Sequence, residues 1–144
     1  MKFKKFKFSK VISTNNTAIR IIKKNKFRLG MVVAETQSNG KGQYGKKWIS
    51  QKGNLFVSFF NKLDNTKLKI STITKINCLL VKKLLSKFTK KKILFKKPND
   101  LFINKKKISG ILQEVILIND NKFLITGIGI NITKNPNIKD YPAT

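Results

Sequence analysis

ISGILQEVILINDNKFLITGIGINI, residues 108–132, is the stretch of sequence that decides the fold. It contains two long apolar runs, ISGILQEVILI and FLITGIGINI, which are rich in β-branched residues and lie on either side of a short polar break. Runs of this kind around turn-forming residues predict two antiparallel strands joined by a hairpin, with Asp120 and Asn121 as the turn. We therefore expect the chain to be organised around an antiparallel sheet.

Shorter apolar runs predict further strands upstream of this hairpin. They are FKFSKVIST at 6–14, MVVAET at 31–36, NLFVSFF at 54–60, ILFKK at 93–97 and LFIN at 101–104. In NLFVSFF, one face would carry Phe56, Ser58 and Phe60. Two of the core positions expected from burial tendency alone are Met31 and Cys78.

Two segments carry helix signals. Ser13, Thr14 and Asn15 supply cap chemistry for a helix of about ten residues. A second helix is predicted within residues 67–88, where apolar residues recur at helical spacing: Ile73, Ile76, Leu80 and Leu84, flanked by Val81, Leu85 and Phe88. Strands dominate over two helices, so the expected class is α+β, with a mixed, largely antiparallel sheet and packed helices.

Composition limits the possible chemistry. The 144 residues suit one domain, 1–144, and include no histidine and a single cysteine, Cys78. A disulfide within the chain, a His- or Cys-ligated zinc and a Ser-His-Asp triad are therefore excluded. There is neither an apolar run long enough to cross a bilayer nor a signal-peptide core after the basic start, so we expect a cytoplasmic protein without a membrane partner.

The net charge of +26 favours an anionic partner. However, the charge is nearly all lysine spread from end to end, with Arg20 and Arg28 as the only arginines. A specific nucleic-acid site would more often concentrate arginine, whose planar fork reads phosphate and guanine edges. We expect salt-dependent, nonspecific attraction to polyanions, and a basic nucleic-acid-binding domain stays as a non-catalytic alternative.

The segment GKGQYGKK, residues 40–47, fits two nucleotide-binding patterns by letter only. As GxGxxG it should open a crossover helix, but a strand follows within ten residues. As GxxxxGK it should end in Ser or Thr, where the sequence has Lys47. Its glycines and lysines still suit a phosphate chain, since exposed N–H groups and mobile positive charge bind phosphate. A flexible solvated loop is the alternative.

Four segments in order resemble the catalytic domain of biotin protein ligases. They are ISTNNTA at 12–18, AETQSNGKGQYGKKWIS at 34–50 followed by GNLFVSF, KKPNDLFINKKKISGILQE at 96–114, and ITGIGINI at 125–132. The resemblance implies the class II synthetase-like fold that biotin and lipoate ligases share. A lipoate or octanoate protein ligase is accordingly the nearest alternative enzyme.

What the resemblance implies is an AMP-forming ligase. Biotin's carboxylate would attack the α-phosphate of Mg²⁺-bound ATP to give biotinyl-adenylate, and a lysine of a biotin carboxyl carrier domain would then displace AMP. This chemistry requires no nucleophile from the enzyme. It depends on positioning and on neutralising phosphate charge, which lysines and backbone groups can supply.

The resemblance also implies roles for individual residues. The catalytic set would be Lys107, Asp100 and Lys41. The biotin-binding set would be Ser13, Thr14, Asn15, Gln37, Lys107, Gly110 and Leu112. The ATP and adenylate set would be Gly40, Lys41, Gly42, Gln43, Gly45, Trp48 and Asn131, with no residue assigned to a metal. Trp48 would stack on adenine, and Asp100 would either organise the lysines or accept a proton from the incoming amine.

Each role has a simpler alternative. Ser13 and Thr14 could be helix caps only. Lys107 follows two other lysines and could be a solvated turn residue. Trp48 could be an ordinary core or surface aromatic, Asp100 could serve turn chemistry, and Asn131 could cap a strand end.

The chain also departs from the family pattern. Gln43 stands where the family usually has an arginine, which predicts a weaker hold on the adenylate and leakage of this intermediate. Family members normally continue past the point matching Thr144 with further helices and an SH3-like domain, and repressor members begin with a helix-turn-helix. The resemblance therefore implies a non-repressor member that is C-terminally short, and two alternatives stay open: the sequence is a fragment, or it is a reduced protein whose missing surface is supplied by homodimerisation.

Overall fold

The computed structural model describes residues 3–64 and 66–133. The elements of this part, in chain order, are β1 (Lys4–Val11), α1 (Thr14–Asn25), β2 (Leu29–Gln37), β3 (Gly40–Lys41), β4 (Lys47–Trp48), β5 (Leu55–Lys62), α2 (Ile70–Leu85), β6 (Leu94–Lys96), β7 (Asp100–Ile103), β8 (Lys106–Ile118) and β9 (Asn121–Ile130). A single 3-10 turn, Gln43–Gly45, joins β3 to β4.

Seven of these strands form one sheet in the order β1-β2-β5-β9-β8-β7-β6. The β1–β2 pair is parallel and the other neighbouring pairs are antiparallel. The longest pairing joins β8 to β9, in register from Ser109↔Ile130 to Ile118↔Asn121. The predicted α+β class with a mixed, largely antiparallel sheet is confirmed.

The turn of this central hairpin lies one residue earlier than predicted. Asn119 and Asp120 form it, with φ angles of 47° and 61°, and Asn121 already belongs to β9. Two consecutive positive φ values are typical of the hairpin turn whose twist matches the flanking strands, and Asn and Asp tolerate this conformation better than most residues. The prediction was wrong by one position because the pairing register of the two strands, rather than local turn propensity, decides which residues are left over.

Helix α1 begins where its cap residues predict. The Ser13 hydroxyl accepts a hydrogen bond from the backbone N–H of Asn16. At the other end Lys26, the capping residue after Asn25, has a left-handed φ of 54°. Its inner side packs on the sheet in a cluster that contains Ala18, Ile22, Val32, Phe60, Phe123 and Ile125. This packing fixes the position of the helix N-terminus above the sheet.

Helix α2 lies within the predicted range, but the apolar residues whose helical spacing predicted it are not its buried residues. Thr74, Cys78 and Val81 are its buried residues. Exposed side chains include Ile76, Leu80, Leu84 and, just beyond the helix, Phe88. The main contacts of the helix are with β8, β6 and β7, at one side of the sheet, so a narrow stripe of it is covered. Cys78 is a core residue as predicted, whereas Met31 is only half-buried.

The two helices lie on opposite faces of the sheet. On β9, Ile125 packs with the α1 cluster and Ile130 packs with the α2 cluster, and residues five apart on a strand point to opposite faces. The face that carries α1 therefore also receives Gly127 and Gly129. Neither helix of the described residues is long and apolar enough to cross a membrane.

Candidate active site

A cavity of about 410 Å³ opens on the α1 face, beside the N-terminus of that helix and under the β3–β4 ribbon. Eleven of the residues proposed from sequence line it: Ser13, Asn15, Gln37, Lys41, Gly42, Gln43, Trp48, Asp100, Lys107, Gly110 and Leu112. Four do not: Thr14, Gly40, Gly45 and Asn131. Segments that are up to about a hundred residues apart in sequence thus meet at one site.

Part of the floor of the cavity is glycine backbone of the sheet. Gly110 on β8 lies opposite Gly129 on β9. A Cβ atom on Gly129 would lie 2.4 Å from Cε2 of Trp48, and one on Gly110 would lie 2.8 Å from its Cζ3. Real Cβ atoms do not approach other atoms so closely, so glycine at both positions lets the indole lie directly on the sheet.

Trp48 is accordingly part of the cavity wall rather than an isolated surface aromatic. The ammonium nitrogen of Lys107 lies 5.3 Å from the centroid of the indole, within the range of a cation–π interaction. The indole Nε1 is buried and has no hydrogen-bond partner among the described residues. This nitrogen lies against the sheet at Gly129, where neither solvent nor the cavity reaches it, so it is a buried donor without a partner in the described part of the chain. The predicted stacking of adenine on this ring stays a prediction.

Lys107 and Asp100 form a buried ion pair at the cavity. Lys107 Nζ lies 2.8 Å from Asp100 Oδ1, and Lys107 is only 7% exposed. Asp100 begins β7 and pairs with Gly110 across the ladder, which brings it to the cavity floor. The simpler interpretation of Lys107 as a solvated turn lysine is therefore wrong. This contact is the one expected if Asp100 organises a lysine.

Asn131 acts behind the cavity rather than in its wall. Its side-chain Nδ2 donates to the carbonyl of Lys107 at 3.1 Å, and its backbone N–H donates to the carbonyl of Ile108 at 2.8 Å. The Asn54 amide in turn donates to Asn131 Oδ1 at 3.4 Å. In the structure the side chain holds the β8 backbone at Lys107, and the predicted help in ordering the nucleotide side stays a prediction.

A chain of polar side chains supports the other end of the cavity. Gln37 Oε1 accepts hydrogen bonds from the backbone N–H of Thr14 at 2.8 Å and from its hydroxyl at 3.1 Å. The Ser58 hydroxyl lies 2.7 Å from Thr14 Oγ1 and 2.5 Å from Asn15 Oδ1. Thr14 thus holds Gln37, and Ser58 links Thr14 to Asn15; both Asn15 and Gln37 line the cavity. Ser13 both caps α1 and lines the cavity, so its two interpretations are compatible.

The glycine-rich loop forms the roof. Gly42 N–H donates to the carbonyl of Lys46 at 2.7 Å, and Gly45 has a φ of 73° in open space. No crossover helix separates this ribbon from β5, so the dinucleotide-binding and P-loop patterns are rejected. The ammonium-bearing side chains that line the cavity are Lys41, Lys46, Lys47 and Lys107. Such a group of cations favours a phosphate-bearing ligand.

Sequence reasoning missed several residues that build this site. Ser58 is fully buried, and its signal was a lone hydroxyl on an apolar strand face. Glu114 accepts a hydrogen bond from Asn15 Nδ2 at 2.7 Å and lies 3.5 Å from Lys41 Nζ. Asn99 donates to the carbonyl of Ile111 and so holds the turn that precedes Asp100. These contacts join distant segments, which is why no local pattern indicated them.

Among residues 3–64 and 66–133, no group of three or more His, Cys, Asp or Glu side chains is arranged to hold a metal ion. Two carboxylates, Asp100 and Glu114, lie at or next to the cavity, and each already contacts a lysine. Burial, and secondarily the charge of Asp100, raises the pKa of the Cys78 thiol to about 11. Because a metal binds the thiolate, this shift disfavours Cys78 as a metal ligand.

Comparison with known proteins identifies the family to which this chain belongs. The model of the biotin/lipoate A/B protein ligase family matches residues 8–131. The chain belongs to this family. The bifunctional ligase/repressor BirA of Bacillus subtilis is 33% identical over 132 residues, which cover 90% of this chain and 40% of that protein.

Two solved structures of biotin protein ligases share the fold. The enzyme from Leishmania major in complex with biotinyl-5-AMP has a TM-score of 0.81 and 29% identity, covering 97% of this chain and 62% of that one. The enzyme from Aquifex aeolicus in complex with biotin and ATP has a TM-score of 0.78 and 31% identity, covering 97% and 58%. The present chain thus spans about two fifths of the bacterial relative and about three fifths of these structures.

Proposed function

We propose that this chain catalyses the ATP-dependent attachment of biotin to a lysine of a biotin carboxyl carrier domain, through biotinyl-adenylate. The observation that carries the proposal is the buried Lys107–Asp100 pair at a glycine-floored cavity that three further lysines line. A small, mostly apolar acid fits the narrow floor, while the lysine-rich roof suits a phosphate chain. The likeness to biotin protein ligases that bind biotin, ATP and biotinyl-5-AMP supports this choice of acid and nucleotide.

In the first step, biotin's carboxylate oxygen attacks the α-phosphorus of ATP, and the bond to pyrophosphate breaks. The chain's contribution is electrostatic. Lys107 is held by Asp100 where the two substrates meet, so its ammonium neutralises charge that builds on the α-phosphate without having to reorganise. Lys41 and its neighbours in the roof neutralise the rest of the phosphate chain.

In the second step, the amine of the carrier lysine attacks the acyl carbon of the adenylate, and AMP leaves. The amine must lose a proton as the amide forms. Asp100 lies at the cavity with one carboxylate oxygen engaged by Lys107, so it can steady the lysine and also receive that proton. The acceptor is therefore proposed to be a folded carrier domain that presents a lysine at the mouth of the cavity.

Magnesium is proposed to arrive with ATP rather than to occupy a protein cage. Mg²⁺ in nucleotide sites is commonly held by substrate phosphates with one or two carboxylates. Asp100 and Glu114, the carboxylates at or next to the cavity, each already contact a lysine, so the substrate phosphates would hold the ion. The metal would supply further neutralisation of phosphate charge.

The test is to incubate the purified chain with biotin, Mg²⁺-ATP and a carrier domain, and to measure the carrier by intact mass. We expect a gain of one biotin in the wild type and a loss of rate of about 100-fold in Lys107→Ala, the size expected when one stabilising group is removed from a transition state. Lys106→Ala is the matched control, because Lys106 is the exposed neighbour on the same strand.

Other outcomes separate the alternatives. Labelling with lipoate or octanoate instead of biotin would move the assignment to the other branch of the family. Thermal stabilisation by biotin without transfer would show that the pocket binds biotin but that this chain does not complete the reaction. Salt-sensitive nucleic-acid binding with no response to either acid would contradict the proposed ligase and favour the polyanion alternative.

A further inference from the structure

Glu114 connects the floor of the cavity to the roof above it. It lies on β8, and because side chains alternate along a strand, it shares a face with Gly110 and Leu112, which line the cavity. The side chain is mostly buried. The chain has 6 acidic and 32 basic residues, so few positions carry a carboxylate, and one of them is on this face.

The two carboxylate oxygens of Glu114 have different partners. Oε2 accepts a hydrogen bond from Nδ2 of Asn15 at 2.7 Å, and Oε1 lies 3.5 Å from Nζ of Lys41. Asn15 is a buried residue in the first turn of α1, and Lys41 belongs to β3 in the roof. One carboxylate therefore links three segments that are far apart in sequence: β8, α1 and β3.

These two contacts differ in strength. The Asn15 contact has the length of a charge-assisted hydrogen bond and involves a buried donor. The Lys41 contact is longer, and the lysine is partly exposed, so this ion pair is weak and exchangeable. The Lys41 ammonium has three N–H donors, so it can donate to a phosphate oxygen while it stays beside Glu114 and the Asn15 contact persists.

Asn15 has little freedom to move toward the floor. A Cβ atom on Gly127, below it, would lie 2.4 Å from Asn15 Oδ1, so the amide already rests on the sheet backbone. The same Oδ1 contacts the Ser58 hydroxyl. A ligand packed against the cavity side of Asn15 would thus fix the amide, and with it the carboxylate of Glu114.

We propose that Glu114 is a positioning residue that holds Lys41 over the cavity for the phosphate chain and, through Asn15, couples binding of the acid to binding of the nucleotide. This inference rests on the proposed function, because it names the residue that links the two substrate sites. Coupling between two binding sites is reciprocal, so each ligand tightens the other by the same factor.

The test measures that factor directly. Calorimetry gives the Kd of α,β-methylene-ATP, which cannot release pyrophosphate, with and without saturating biotin. The wild type is expected to show a ratio of about fivefold or more, which lies in the usual range for coupled sites. Glu114→Gln keeps an acceptor for Asn15 and removes the charge facing Lys41, so the ratio should fall to less than about twofold while biotin alone binds as before.

The matched control is Glu35→Gln, which changes the net charge equally. Glu35 is exposed and pairs with Lys52 at 3.1 Å, away from the cavity lining. It should keep the wild-type ratio. Lys41→Gln removes the other end of the contact at a partly exposed position, so it should lower the ratio to the same value, and the double variant Glu114→Gln/Lys41→Gln should lower it no further.

Three results would overturn the inference. Glu114→Gln could bind the nucleotide more tightly with an unchanged ratio, which would mean that Glu114 acts only as a nearby charge. The wild type could bind both ligands without coupling. Third, the wild type could bind neither biotin nor the nucleotide, and then both the proposed function and this inference would fail. This result is distinct from the first two, in which the ligands bind.

Discussion

Disrupting the Lys107–Asp100 pair should cost the fold more than disrupting a comparable pair on the surface. The two charged atoms are 2.8 Å apart, and their side chains are 9% and 17% exposed. Asp100→Asn leaves an ammonium in a mostly buried site without its counter-charge. Lys107→Met leaves the carboxylate in the same position.

The size of the effect follows from distance and burial. Two unit charges at this separation attract by ~6 kcal/mol at an effective dielectric constant of about 20. Desolvation offsets much of this attraction, but removal of one partner from a buried pair typically costs about 3–5 kcal/mol. Against a total stability of roughly 5–15 kcal/mol for a domain, that loss is large. The double variant Asp100→Asn/Lys107→Met should recover part of it, because no charge is left unpaired.

Urea unfolding of the wild type, both single variants and the double variant closes a thermodynamic cycle. The Glu35–Lys52 pair is the control, since its atoms are 3.1 Å apart but its side chains are 56% and 77% exposed. Exposed pairs contribute only about 0.2–1 kcal/mol. A coupling energy for Asp100 and Lys107 as small as that of the control would refute the reasoning that burial makes this pair strong.

Three other predictions concern single positions. Because burial raises the pKa of Cys78 from 9.0 to about 11, the thiol's contribution to stability is complete below pH 9 and is lost between pH 9 and pH 11. Over that range Cys78→Ala should therefore lose less stability than the wild type, by about 3 kcal/mol, in denaturant titrations, and parallel curves would contradict this. Gly129→Ala should displace Trp48, the only tryptophan, because the added Cβ would overlap the indole. The fluorescence of Trp48 should shift, and biotin should bind about tenfold more weakly or worse. Unchanged emission would show that the indole does not rest on the sheet. Gln43→Arg, which adds a charge at the cavity lining, should reduce biotin labelling of bystander amines by released adenylate, and equal labelling would remove the leakage hypothesis.

Most of the architecture could be predicted from the sequence because its signals are local. The cap at Ser13 and the paired runs around Asn119 and Asp120 each depend on residues that are near one another in the chain. The orientation of α2 could not be predicted in this way. Its period identifies a helix, but the sheet covers only the stripe around Cys78, and that depends on where the strands lie.

The candidate site likewise has features that the sequence could predict and features that it could not. The order of the short motifs, through the family resemblance, indicated the glycine-rich segment and its lysines as part of a candidate site. The sequence could not rank Lys107 above its two lysine neighbours, because what distinguishes it is the contact with Asp100. It also could not show that Asn131 supports β8 from behind.

What the sequence by itself determined is therefore the set of elements, the sheet class and the family resemblance, since these follow from propensity, period and the order of short motifs. What only the tertiary structure decided is which side chains meet: the indole on a glycine floor, the buried ion pair and the carboxylate of Glu114 between Asn15 and Lys41. The physical reason is that burial, charge pairing and close packing depend on distances in space. Strand pairing and the packing of α1 on the sheet bring together residues up to 99 positions apart in the chain.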